Sequence, residues 1–101
     1  MLRPTLVLAL AVIAAPAFAQ SEKEVSCGHQ ADLAAAIAKA RLDGVRERDL
    51  PAELAKVATW PKQYADVAIP VFAPFIYEQQ RSELKKSDLR QSTFDQCMSL
   101  N

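Results

Sequence analysis

Cys27 and Cys97 carry the most definite chemistry in this chain. A thiol can attack, ligate a metal or pair with another thiol. A redox pair would be a C-x-x-C, which is absent, so thiol–disulfide catalysis is not expected. Pairing Cys27 with Cys97 is the expected use; two free thiols or a bridge between chains are the alternatives. His29 is the only histidine. It could titrate near neutral pH, but a metal cage needs three or four ligands and no second histidine exists. Asp32, Asp43, Asp66, Asp88 and Asp95 are scattered, with no pair set among aromatic sugar platforms as a glycosidase would need. Ser21, Ser26, Ser82, Ser87, Ser92 and Ser99 fall at helix starts or in polar stretches, outside any G-x-S-x-G elbow or serine–lysine signature. Neither catalysis nor a cofactor or metal is expected. Trp60, Tyr64, Phe72, Phe75 and Tyr77 form an aromatic centre that a small domain needs for its core. Trp60, Tyr64, Phe72 and Tyr77 are also the residues expected to face a partner, with Trp60 and Tyr77, which carry polar tips, on the rim.

These residues must be positioned by helices. Alanine, leucine, lysine, glutamate, glutamine and arginine dominate, all good helix formers, and no Asn-Gly or Asp-Gly hairpin signal occurs. The expected class is all-α: a small four-helix bundle with a proline-kinked third helix, closed by one terminal disulfide. Helix one spans about Glu22 to Asp43. Ser21-Glu22-Lys23-Glu24 has the form of a capping box, and Gly28 within the first turns leaves fraying or a later start capped by Ser26 as the alternative. Val25, His29, Leu33, Ile37, Ala40 and Gly44 recur at steps of three or four as a buried stripe. Gly44 suits a left-handed C-terminal cap with Val45 folding back. Asp49 is expected to cap helix two, with Pro51 in its first turn, Leu54 and Val57 buried, and Trp60-Pro61 ending it.

Helix three begins at Pro61 and enters an uncharged stretch, Val67 to Tyr77. With every face apolar, that stretch reads as a central buried segment. Pro70 and Pro74 each remove a donor and crowd the preceding turn, so a kink or break is expected between Ile69 and Phe75. The restarted helix is expected to run to about Lys86. Ser87 is expected to cap helix four, whose apolar side carries Leu89, Phe94, Cys97 and Met98.

The opening residues read as a leader. Arg3 is followed by an apolar run from Thr5 to Ala15, then Pro16 and Ala17-Phe18-Ala19. A basic head, a short apolar centre and a small-x-small site are the parts of a cleavable signal peptide, and the run is shorter than the roughly 20 residues a membrane span needs. The expected division is a signal peptide over 1–19 and a mature helical domain over 20–101, periplasmic or secreted, with no membrane anchor after cleavage. Removing 1–19 takes away Arg3 and no acid, leaving the rest one unit negative. No basic footprint for nucleic acid remains. The exported compartment is oxidising, which favours the Cys27–Cys97 pair.

The layout resembles two groups of exported helical proteins: the acid-stress chaperones of the bacterial periplasm, and the helical immunity proteins that block periplasmic cell-wall toxins. The likeness lies in size, helicity and a single disulfide, and it assigns no role to any residue. It implies a protein that acts by binding a protein partner in the cell envelope. A structural subunit of an envelope complex, or a small periplasmic enzyme, are the alternatives.

Overall fold

The computed structural model describes residues 21–100. The cleavage site and the leader expected over 1–19 lie outside the described residues. Every regular element among the described residues is a helix: α1 Glu22–Leu42, a short 3-10 turn Glu47–Asp49, α2 Leu50–Ala55, α3 Lys62–Glu78, α4 Arg81–Lys86 and α5 Leu89–Ser99. The all-α class holds. In place of four helices there are three longer ones, α1, α3 and α5, and two short ones.

α1 is the central helix, packed against all four others. Its start is the anticipated capping box: the Ser21 side chain accepts from the Glu24 amide and Glu24 accepts from the Ser21 amide, each at 3.0 Å. Acids fill its first turn, and Lys39 and Arg41 its last, as the helix dipole favours. Its end is a Schellman motif. Gly44 takes φ +90°, its amide donates to Arg41 O at 3.1 Å, and the Val45 amide donates to Ala40 O at 2.9 Å.

The connection after Gly44 returns along α1, so that Trp60 lines a cleft with Asp32, Ala35 and Ala36. α3 therefore runs parallel to α1: His29 meets Tyr64 near both starts, and Arg41 meets Tyr77 near both ends. α5 runs antiparallel, with Cys97 bonded to Cys27 and Arg90 paired with Asp32. The Cα atoms of the two cysteines lie 5.5 Å apart, and the bond closes a loop with a sequence separation of 70.

The core is built on Leu33, Ile37 and Leu50, fully buried, with Leu54, Trp60, Ile76 and Leu84 around them. Alanines 31, 34, 38 and 40 keep α1 thin and let its neighbours close on several sides. Burial on α1 therefore spreads wider than a single stripe, and Val25, expected on that stripe, is exposed.

Several expectations are corrected. α2 ends at Ala55, not at Trp60, and Val57, expected to be buried with Leu54, is exposed. Asp49 stands at the start of α2 but makes no capping bond, because it closes the 3-10 turn and its carboxylate turns to Arg46. Asp88, not Ser87, caps α5, accepting from the Gln91 amide at 3.0 Å; the Ser87 hydroxyl donates back to Glu83 O at 2.8 Å. α3 runs unbroken from Lys62 to Glu78 through both prolines, and the break falls at Gln79–Gln80. Nor is its uncharged stretch buried on every face. Ala68, Ala73 and Ile76 point inward, while Val67, Val71 and Phe75 are each more than 60% exposed. The domain is too small to surround a third long helix. Pro70 and Pro74 both lie on the exposed side. There water can reach the carbonyls of Asp66 and Pro70 that the prolines leave without helical donors, and so the helix tolerates them.

Candidate docking surface

α3 divides into parallel rows at the four-residue step. Tyr64, Ala68, Phe72 and Ile76 face α1 and the core, whereas Val67, Val71 and Phe75 stand outward as an apolar ridge. The exposed prolines 70 and 74 flank that ridge. Between the two rows lies an open groove of about 460 Å³ lined by Gln30, Gln63, Tyr64, Val67, Ala68, Val71 and Phe72. The small Ala68 forms its floor and no charged residue lines it. On the far side of Phe72 a second cleft, of about 350 Å³, runs between α3 and α5, with Phe75 and Leu89 on its walls. The result is a continuous uncharged surface, apolar at its centre and framed by amides and hydroxyls. Single exposed apolar side chains are ordinary; a contiguous apolar row on one helix face is a candidate docking surface.

The residues expected to face a partner do not gather in one place. Tyr64 and Phe72 are half-buried and both line the groove. The Tyr64 ring rests against His29, centroids 4.9 Å apart and planes tilted by 55°. Trp60 was expected on the rim, but its side chain is buried among the core residues. Tyr77 points to the opposite end of α3, where it donates to Val45 O at 2.7 Å and lies 5.5 Å from the Arg41 guanidinium carbon.

That end is a clamp that the sequence did not reveal. Arg41 donates to Gln79 O at 2.8 Å, at the end of α3, and Arg81 donates to Leu42 O at 3.1 Å, at the end of α1, so each arginine satisfies a carbonyl at a helix C-terminus. Two cations at two helix C-termini also suit both dipoles. Among the described residues, Arg41 Nε is the buried side-chain polar atom without a partner. Burial raises the Tyr77 phenol above its ordinary 10.0, opposed by the nearby positive charge of Arg41.

The five aspartates singled out from the sequence each have a partner. Asp32 pairs with Arg90, Asp43 with Lys39 at 2.8 Å, and Asp66 with Lys62 at 3.0 Å. Asp88 caps α5, and Asp95 accepts from Gln91 at 2.8 Å. Among the described residues no three metal-ligating side chains converge, and no helix is long and apolar enough to cross a membrane. Comparison with protein-family models, curated proteins and solved structures finds no match to this chain.

Proposed function

We propose that this is a small exported helical protein that acts by binding a protein partner in the periplasm, as a chaperone or an inhibitor of immunity type does, and not by catalysis. The observation that carries this reading is the exposed ridge of Val67, Val71 and Phe75 beside the uncharged groove over Ala68. The disulfide supports the compartment, because such bonds persist in oxidising surroundings. The leader-like residues 1–19 support export, with cleavage after Ala19. Docking centres on α3: Val67, Val71 and Phe75 contribute apolar area, and Tyr64 and Phe72 form the wall behind them.

The test compares tagged wild-type protein with Val71→Glu in capture from envelope extract. The expected result is one stoichiometric partner held by the wild type and lost from Val71→Glu. Thermal unfolding of the two proteins should agree closely, since an exposed substitution costs little. Equal capture by both would remove the ridge from the function, and a wild type that captures nothing would count against the binding reading itself.

A further inference from the structure

We propose that Asp43-Gly44 is the site at which this chain isomerises to isoaspartate, and that the cap closing α1 is the brake on that reaction. The inference is independent of the docking surface. An aspartate carboxyl lies within reach of the main-chain nitrogen that follows it, so the attack is intramolecular. Gly44 N, on losing its proton, bonds to Asp43 Cγ. One carboxyl oxygen leaves as water, with that proton and one taken from solvent. Water then opens the five-membered imide. Where it adds to the Asp43 main-chain carbonyl carbon, the bond from that carbon to Gly44 N breaks and the chain continues through Cγ. No enzyme, cofactor or oxidant takes part. A side chain on the attacking residue crowds the ring, and glycine has none. Asp32, Asp49 and Asp88 are followed by leucine, Asp66 by valine and Asp95 by glutamine; Asp43 alone is followed by glycine. The pair ends a helix and builds no hairpin. Both residues are exposed, and no atom lies within 4 Å of where a Gly44 Cβ would stand, so no neighbour blocks the ring.

Backbone geometry opposes the attack. The ring closes only when Cβ of Asp43 and N of Gly44 stand on the same side of the Cα–C bond. Asp43 has ψ −1°, which puts its own nitrogen on that side instead. About 120° of rotation is needed, and it ends outside the main allowed regions of an L-residue. The Gly44 amide must also leave Arg41 O, and turning the peptide breaks the bond from the Val45 amide to Ala40 O at 2.9 Å. The reaction therefore runs through the fraction of molecules in which the cap has opened. The pair of the Asp43 carboxylate with Lys39 is exposed and adds little to the brake. The product does not fit the site it came from. It lengthens the main chain by one carbon directly before Gly44, whose φ of +90° sets up both cap bonds. Val45 O also accepts from the Tyr77 hydroxyl, so loss of the cap reaches the end of α3.

The test incubates the disulfide-bonded protein isolated from its producing cells, at neutral pH, beside the reduced chain in urea. Tryptic mapping follows the peptide Leu42–Arg46, in which isoaspartate appears as a species of unchanged mass and altered retention. In urea that species should accumulate at Asp43 ahead of every other aspartate, and Asp43→Glu should remove it. The native protein should convert about 100-fold more slowly, by a ratio that matches the open fraction read from hydrogen exchange of the Val45 amide to within about threefold. Native protein separated in the isomerised form should exchange that amide faster than the unmodified form. An unfolded chain that isomerises first at another aspartate overturns the site. A native rate within about tenfold of the unfolded one, or a ratio unrelated to Val45 exchange, overturns the cap as the brake.

Discussion

Replacing Cys97 by serine should both destabilise the domain and release one helix from it. The bond closes a loop with a sequence separation of 70, for which loss of unfolded-state entropy gives about 4 kcal/mol. A domain of this size has a total stability of roughly 5–15 kcal/mol, so the change is a large share of it. α5 depends on the bond in particular, because it contributes no fully buried residue. Its apolar residues Leu89, Phe94 and Met98 are only half-buried, and its polar ties to α1 are an exposed bond from Lys23 to the Leu100 carbonyl and an exposed ion pair from Arg90 to Asp32. That pair is worth at most about 1 kcal/mol. Urea unfolding of Cys97→Ser should show a midpoint well below that of the wild type. Hydrogen exchange should show α5 amides losing protection while those of α1 around Leu33 and Ile37 keep theirs. A loss under about 1 kcal/mol, well short of the entropic figure, with α5 as protected as α1, would refute the reasoning and show that packing alone holds that helix.

Trp60→Ala and Phe75→Ala should differ sharply: the buried Trp60 should cost about 3–5 kcal/mol, and the exposed Phe75 under about 0.5 kcal/mol, in denaturant midpoints. Tyr77→Phe should cost about 1 kcal/mol through the lost bond to Val45 O, and a cost near zero would show that this bond contributes nothing. Because burial raises the Tyr77 phenol above 10.0, its contribution is complete below that pH and is lost as pH rises through the folded-state value. Wild-type stability should therefore fall more steeply than that of Tyr77→Phe in alkaline titration. Gly44→Ala should cost about 1–2 kcal/mol by thermal melt, since the residue has φ +90° and no neighbour to clash with, which leaves backbone strain as the whole effect.

The local signals of the fold were legible in the sequence, and the solvent face of α3 was not. Ser21 with Glu24, and Gly44 with Val45, are decided by bonds within a few residues, so their types alone identify the two ends of α1. Cys27 and Cys97 were legible because two thiols and a leader-like start leave few alternatives. The uncharged run from Val67 to Tyr77 was misleading because composition cannot say how much protein is available to cover it. α3 packs chiefly against α1, touches α2 and the 3-10 turn only lightly and faces α5 across an open cleft, so one row of its side chains stays outside. Pro70 and Pro74 were the available signal, since carbonyls deprived of helical donors need water and so mark a wet face. Read that way, they place Val67, Val71 and Phe75 outward. The arginine clamp was not legible, because Arg41 with Gln79 and Arg81 with Leu42 are joined only by the parallel return of α3 along α1.

The most direct test of α3 as the docking surface is a photo-reactive amino acid placed at Val71 in the producing cells, with the exposed Lys85 on α4 as the control position. The expected result is a discrete cross-linked product from Val71, to a protein partner, and none from Lys85. No product from Val71, or the same diffuse products from both positions, would contradict the claim that this ridge is where the protein binds.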